Sequence, residues 1–134
     1  MTDACAGSTS PLHVILFSFG FKFGIPEDVN LLWDVRFLPN PYWVEALRAR
    51  TGQEPDVADY AVGGSVGQEF LRLVEPLLIF LVEKNIQAGK DELRLAVGCT
   101  GGKHRSVAVV EALGLILGRQ SVELTVFHRD IEKE

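Results

Sequence analysis

A glycine-rich basic loop between an apolar strand and an apolar helix constrains the fold of this chain more than any other feature. Leu93–Val97 reads LRLAV, as a buried strand does, and Ser106–Leu117 reads as an apolar helix that Gly118 ends. Between them lies Gly98–Ser106, GCTGGKHRS. A strand, a tight loop and a helix in this order predict a parallel sheet with helices packed on it.

The rest of the chain alternates between strand and helix patterns in the same way. Further strands are predicted at 13–19, 31–35 and 122–127, and helices at 43–50 and 56–62 and from Ser65, as N-cap, to about Ala88. Pro76 is expected to kink the long helix or to split it in two. The predicted fold is an α/β domain with a mostly parallel sheet of four or more strands, flanked by helices.

Length and composition fit a single domain with its own core. The chain has 134 residues, of which 47% are hydrophobic, so no disulfide framework is needed. Residues 1–12 are expected to form a flexible tail and residues 13–134 the domain. Cys5, in the tail, and Cys99 show no disulfide pattern, which favours a reducing compartment.

Charge and hydropathy narrow the expected partners. The formal net charge is −5, whereas proteins dedicated to nucleic acid usually carry a basic excess. No apolar stretch has the length of a membrane span and no signal peptide is recognisable, so we expect a cytoplasmic protein without membrane contact. The His and Cys residues lack metal-ligand spacing, and no metal or cofactor is expected.

The loop itself has the composition of an anion site. Gly101 and Gly102 allow the backbone N–H groups to approach an anion closely, and the following helix adds its positive end. The side chains that complete the predicted phosphate site are Thr100, Lys103, His104, Arg105 and Ser106. A phosphate fits this group better than a carboxylate or a sulfate does.

The same loop also matches the Cys-x5-Arg-Ser spacing of cysteine-dependent phosphatases, from Cys99 to Arg105. In those enzymes the thiolate attacks phosphorus and the arginine holds the phosphoryl oxygens. Gly98 stands where the best-known members carry His, and no nearby loop offers an acidic proton donor unless the fold brings in Asp34 or Asp130. A buried structural role for Cys99 is therefore favoured over a nucleophilic one.

Other candidate residues each have a structural alternative. Arg36 is a second anion contact or the partner of Asp34 in a local ion pair, and Lys22 is a ligand contact or a solvated loop residue. Tyr42 and Trp43 stack on a ligand or pack on the core. The segment 128–130 reaches the ligand edge of the sheet or, as favoured here, belongs to a solvated tail.

Three segments together resemble the carboxy-terminal domain of the RapZ (YvcJ-like) RNase adapter family. They are SFGFKFGIP at 18–26, DVRFLPNP at 34–41 and GCTGGKHRSV at 98–107, and the resemblance covers nearly the whole chain from about His13. It implies a fold similar to half of a phosphofructokinase-like domain. Full-length members also carry an amino-terminal P-loop kinase-like domain, which has no counterpart in this sequence.

The family resemblance implies binding of glucosamine-6-phosphate, self-association and, in enterobacteria, presentation of a small RNA to an endoribonuclease. It implies that Arg105, Thr100 and the Gly101–Gly102 backbone hold the phosphate. The sugar contacts implied by matching positions are Lys22, Asp34, Arg36, Asn40 and Tyr42. An ionised Asp34 facing the amine would select an amino sugar.

Two departures from the enterobacterial pattern bear on this function. Tyr42 stands where those members have His, and residues 128–134 lack their strongly basic tail. We therefore predict a sugar-phosphate sensor or adapter domain that self-associates and acts through a protein partner. RNA binding and a phosphatase that uses Cys99 are the alternatives, in that order.

Overall fold

The computed structural model describes residues 11–134, so most of the predicted tail, including Cys5, lies outside the described residues. Four strands are present: β1 His13–Gly20, β2 Leu31–Asp34, β3 Glu92–Cys99 and β4 Glu123–His128. The α-helices are α1 Glu45–Arg48, α2 Pro55–Val62, α3 Ser65–Gln87 and α4 Arg105–Leu117. Two 3-10 turns, Phe21–Phe23 and Pro41–Trp43, precede β2 and α1.

The four strands form one parallel sheet in the order β2-β3-β1-β4, which confirms the predicted α/β architecture. Ser18 of β1 lies opposite Val97 of β3 on one side and His128 of β4 on the other. This register brings the carboxyl ends of the strands to one edge, where ligands bind in open parallel sheets.

The helices pack on one face of the sheet. Val14 and Leu16 of β1 point into a buried cluster with Leu95 and Val97 of β3. Helix α4 contributes Val109, Val110 and Leu113 to this cluster, and α3 contributes Val74, Leu78 and Val82. The chain steps across the sheet in the same direction from β2 to β3 and from β3 to β4, so right-handed crossovers place both connections on this face.

The opposite face is covered by the connection between β1 and β2 instead of a helix. Ile15, Phe17 and Phe19 are buried there, and Phe21 and Val29 of the connection pack against them. Because the step from β1 to β2 runs the other way across the sheet, the same handedness rule places it on this second face.

Two local expectations are wrong in detail, and one of the two alternatives expected at Pro76 is excluded. The helix predicted at 43–50 is a 3-10 turn followed by the single-turn α1, because Val44 is extended between them. Gly64, not Ser65, is the N-cap of α3. Pro76 does not split α3, which is continuous over 23 residues, since the buried side chains on both sides of Pro76 anchor the helix to the core.

Helices of membrane-spanning length and apolarity are not found among residues 11–134.

Candidate functional site

A pocket of about 680 Å³ opens at the carboxyl edge of the sheet. The end of β3 and the start of α4 supply one wall: Cys99, Thr100, Gly101, Lys103, His104 and Arg105. The segment after β2 supplies the facing wall: Asn40, Tyr42, Trp43, Arg48 and Ala49. Lys22, Lys133 and Glu134 complete the lining. Its volume lies within the range of about 300–1,000 Å³ that small-molecule sites occupy.

Close backbone packing fixes the loop at the end of β3. Gly102 has a φ of +76°, and a Cβ at this position would lie 2.6 Å from the backbone nitrogen of Gly20. A Cβ at Gly20 would lie 2.5 Å from the carbonyl carbon of Gly101. The Lys22 N–H donates to the Thr100 carbonyl at 3.2 Å. Gly102 and Gly20, which have no Cβ, thus allow the loop to pack directly on the end of β1.

Arg105 ties the loop to the chain that follows β2. Its side chain is buried, and Nη1 donates to the carbonyls of Arg36 at 2.7 Å and of Leu38 at 3.4 Å. Nη2 donates to Thr100 Oγ1 at 3.4 Å. The Nε–H of Arg105 is buried and has no acceptor among residues 11–134. One donor of the fork is therefore left unsatisfied beside the pocket.

His104 makes a second tie to the same facing segment. It is buried, and its Nε2 lies 2.9 Å from the carbonyl oxygen of Arg48. Burial lowers the pKa of His104, although the contact with the Arg48 carbonyl opposes this, and the neighbouring Lys103 and Arg105 lower it further. At neutral pH His104 is therefore uncharged, and its Nε2–H donates to the carbonyl. Of the three consecutive basic residues, Lys103 is the one whose side chain makes neither an ion pair nor a hydrogen bond within residues 11–134.

Cys99 and Ser106 sit at the base of the loop. Cys99 is 2% exposed and belongs to the core cluster, and its Sγ lies 3.1 Å from Ser106 Oγ. Ser106 is fully buried and does not line the pocket. The Cys99 thiol thus contacts the apolar interior, with Ser106 as its hydrogen-bond partner.

Asp34 and Arg36 pair with each other outside the pocket lining. The Arg36 guanidinium donates from Nε and Nη2 to the Asp34 carboxylate at 2.7–3.1 Å and covers the ring of Phe21 at 4.0 Å. The hydrogen bond from Arg36 holds the pKa of Asp34 below its usual range despite partial desolvation. Lys22, Asn40 and Tyr42, the other predicted sugar contacts, do line the pocket.

The chain after β4 is part of the site, so the expected solvated tail is wrong. Asp130 is fully buried and accepts the Gly20 N–H at 2.8 Å, while Arg129 and Lys133 pair with its carboxylate at 2.7 and 2.8 Å. Burial opposes ionisation, but the hydrogen bonds from Arg129, Gly20 and Lys133 outweigh it and lower the pKa of Asp130 to about 2. These contacts bring Lys133 and Glu134 to the pocket.

Several lining residues were not predicted as site residues. Arg48 lies on α1 and Lys133 follows Asp130, and neither carries a sequence signal that separates it from a solvated residue. Trp43 was noted as an aromatic residue after a proline-rich turn but was not assigned to the site. Lys133 reaches the pocket through its contact with Asp130, which only the folded structure shows.

The lining is strongly basic in a protein with a formal net charge of −5. Five of its side chains are Lys or Arg, and one is Glu. Aromatic rings of Tyr42 and Trp43 lie beside these charges. Such a lining can bind an anionic group and a neighbouring ring. Residues 11–134 contain no cluster of three His, Cys, Asp or Glu side chains suited to a metal ion.

Relatives of the chain are proteins more than twice its length. A protein of Caldicellulosiruptor bescii named nucleotide-binding protein is 44% identical over 127 residues, which cover 95% of this chain and 44% of the relative. Proteins of the same description from Mycobacterium avium and Frankia casuarinae are 46% and 48% identical, over 96% and 98% of this chain and 44% and 46% of theirs. The chain thus spans less than half the length of these curated relatives.

A family model described as the RapZ C-terminal domain matches residues 12–132, which include all four strands and both walls of the pocket. The match covers the three segments on which the resemblance was based. The chain therefore belongs to the RapZ C-terminal domain family.

Proposed function

We propose that this domain binds a phosphorylated sugar, with glucosamine-6-phosphate as the first candidate, and acts as a sensor or adapter without chemistry of its own. The phosphate lies at the wall formed by 99–105, and the sugar extends toward Asn40 and Tyr42. A protein partner or a second copy of the chain then binds the ligand-bound form of the domain.

The charge of the pocket lining carries this proposal. Lys22 and Lys103 make no ion pair among residues 11–134, and Lys133, which pairs with Asp130, joins them from a third part of the chain, in a protein that is acidic as a whole. Like charges gathered in one concave site repel one another, and a dianionic group relieves that repulsion. The pocket therefore favours a phosphate over a neutral ligand.

The charge of Arg105 gives further support. Arg105 lines the pocket, and it makes no ion pair among residues 11–134. An anion oxygen at this wall would be attracted by the charge of the guanidinium, while the Nη1 donors of Arg105 stay on the carbonyls of Arg36 and Leu38.

The geometry weighs against the phosphatase alternative. A nucleophilic Cys99 needs an accessible thiolate and an arginine whose fork is free for the phosphoryl oxygens. Cys99 is 2% exposed beside Ser106, and Arg105 Nη1 is occupied by two carbonyls. The geometry of the loop therefore favours binding of a phosphorylated ligand over hydrolysis of its phosphate ester.

The name of the relatives adds one ligand to be tested. They are called nucleotide-binding proteins, and more than half of their length lies outside the part this chain matches. Nucleotide binding by the whole proteins is thus not assigned to this domain. A nucleoside monophosphate nevertheless combines a phosphate and a ring, and it belongs among the ligands compared.

Calorimetric titration with glucosamine-6-phosphate tests the proposal, with glucose-6-phosphate, inorganic phosphate and AMP as comparison ligands. Lys103→Ala removes a lining charge that makes no hydrogen bond or ion pair among the described residues, and we expect affinity to fall about 10- to 150-fold, since charge-assisted contacts contribute about 1.5–3 kcal/mol. Lys90→Ala removes an exposed lysine away from the pocket and serves as the matched control. Absence of binding by all four ligands would reject the sensor proposal.

The same titration tests the choice of an amino sugar. Asp34 was proposed to face the amine, but its carboxylate pairs with Arg36, whereas Glu134 lines the pocket. We expect one of two variants, Asp34→Asn or Glu134→Gln, to lose the preference for glucosamine-6-phosphate over glucose-6-phosphate, and the other to keep it. The variant that loses it identifies the selecting carboxylate, and loss in neither would show that no carboxylate selects the amine.

A further inference from the structure

Trp43 is the most exposed large hydrophobic side chain of residues 11–134, and it lies in the pocket lining. It is 73% exposed, although large aromatic side chains normally bury most of their surface. Exposure of a single apolar residue on an outer surface is ordinary. An exposed aromatic side chain inside a concave basic pocket differs from one on an outer surface, because a ligand bound in the pocket would cover the side chain.

The local structure holds Trp43 in place. It ends the 3-10 turn Pro41–Trp43, which Asn40 caps by accepting the Tyr42 N–H at 3.1 Å. The Trp43 N–H donates to the Asn40 carbonyl at 3.1 Å. Arg48 donates from Nε to the Tyr42 carbonyl at 2.7 Å and places its guanidinium over the Tyr42 ring at 5.1 Å. The turn is thus fixed from both ends before any ligand binds.

The two aromatic rings have different surroundings. Tyr42 is covered by Arg48 and meets Trp43 edge to face, with centroids 5.2 Å apart and planes at 87°. Within the described chain, Tyr42 is the one aromatic ring in contact with Trp43, and no cation lies over the indole. A perpendicular neighbour covers at most one face of the indole. Trp43 therefore keeps an open aromatic face in a pocket that lysines also line.

We infer that Trp43 is a stacking platform for the apolar face of a pyranose ring, which makes the site selective for cyclic sugar phosphates over acyclic phosphates. This inference rests on the proposed sugar-phosphate function. The lysines of the lining hold the phosphate, and the indole buries the ring carbons that the phosphate leaves exposed. A pyranose and a nucleobase both offer a flat face, and the ligands below separate them.

The test measures the affinities of Trp43→Ala, Trp43→Phe and the unchanged domain for glucosamine-6-phosphate, glycerol-3-phosphate and AMP. Because the substitution removes the apolar surface that covers the ring carbons, Trp43→Ala should bind the hexose phosphate about 3- to 10-fold more weakly. Glycerol-3-phosphate, which has no ring, should bind both proteins equally. Trp43→Phe should keep most of the affinity. Leu115→Ala, at a residue 71% exposed outside the pocket, is the matched control.

Tryptophan fluorescence gives a second readout. The chain has two tryptophans, and Trp33 lies on β2 away from the lining. Glucosamine-6-phosphate should change the emission of the unchanged domain and leave that of Trp43→Phe unaltered. A change that persists in Trp43→Phe would place the response at Trp33 and contradict the inference.

The remaining outcomes separate this inference from the proposed function. If Trp43→Ala weakens hexose phosphate and glycerol-3-phosphate equally, Trp43 shapes the pocket and does not select a ring. If the unchanged domain binds both compounds equally well, the anion site stands and the platform is rejected. Tighter, Trp43-dependent binding of AMP would overturn the pyranose assignment. Failure of every phosphate to bind would reject the proposed function itself.

Discussion

Arg105 and His104 show how a basic side chain in a glycine-rich loop can serve the fold. Both were predicted to hold a phosphate, yet both are buried and reach backbone carbonyls of residues 36–48. The hydrogen bonds from the Arg105 guanidinium to carbonyl oxygens are strong because the donor is ionised. Removal of Arg105 would loosen the facing wall as well as the anion site, so Lys103 is the cleaner position at which to test binding.

Asp130 is the residue at which we expect the sharpest effect on stability. Its carboxylate is buried and accepts bonds from Gly20, Arg129 and Lys133. Asp130→Asn keeps the shape but removes the charge, and it should lower the free energy of unfolding at pH 7 by about 2 kcal/mol. Chemical denaturation at pH 7 measures this loss, and Asp91→Asn, at an exposed residue, is the control.

The pH dependence of this stability follows from the direction of the shift. The pKa of Asp130 falls from 3.8 to about 2 on folding, so the unfolded chain binds the proton first as pH falls. The stabilisation is therefore complete above pH 4 and is lost between about pH 4 and pH 2. Asp130→Asn should flatten the stability curve in this window. An unchanged curve would show that Asp130 does not carry the effect.

Some residue roles could be predicted from the sequence and others could not. Thr100 directly follows a strand, and Lys103 directly follows the double glycine. That local order was enough to place both residues at a pocket. The burial of Asp130 depends on Gly20, which lies 110 positions away, so no local pattern shows it. Trp43 follows a proline-rich turn, which favoured packing on the core over a ligand contact, yet it is exposed, because exposure depends on the fold of the neighbouring segments.

Among the elements, the loop after β3 and the end of β1 act as one unit. Gly102 adopts a left-handed φ of +76°, and its Cα faces the Gly20 backbone. Gly102→Ala should therefore lower the free energy of unfolding by about 1–2 kcal/mol through the left-handed backbone conformation alone. The added Cβ should also displace the end of β1, which lowers it further. We expect the free energy of unfolding to fall by about 2–4 kcal/mol in chemical denaturation.

Gly101 provides a neighbouring control for this prediction. A Cβ at Gly101 meets nothing within 4 Å, and its φ is not positive. Gly101→Ala should leave stability within about 0.5 kcal/mol of the unchanged domain. Equal destabilisation by the two substitutions would mean that close packing on Gly20 is not what requires glycine here.

The strands and helices themselves were predictable because each has a strong local pattern. The four apolar runs became the four strands, with boundaries shifted by one or two residues. The segment from Asn40 to Arg48 was not predictable in detail, because Arg105 holds the chain just before it, at the carbonyls of Arg36 and Leu38, and His104 holds its end, at the Arg48 carbonyl. Sequence periodicity cannot report contacts that form only after β3 and α4 are in place.

At the scale of the whole molecule, we expect the uneven distribution of charge to decide which phosphates the domain binds. The chain carries 18 acidic and 13 basic residues, and five of those basic residues line one pocket. A long polyanion would be repelled by the net negative charge of the rest of the protein, whereas a small sugar phosphate would meet mainly the basic pocket. The charge balance that disfavours RNA is therefore compatible with the proposed binding of a sugar phosphate.

The salt dependence of binding separates these two ligand classes. A single-stranded RNA that neutralises four phosphates should lose about a thousandfold in affinity when salt rises from about 0.05 to about 0.5 M. A single phosphate monoester in the pocket should lose only about 3- to 10-fold over the same range, since its contacts are short and partly shielded from solvent.

We expect glucosamine-6-phosphate to follow the shallow dependence in calorimetry, and an RNA oligonucleotide to bind weakly at about 0.05 M salt and not measurably at about 0.5 M. RNA binding that stays tight at about 0.5 M salt would contradict this expectation, and competition by glucosamine-6-phosphate would then show whether the RNA uses the same pocket.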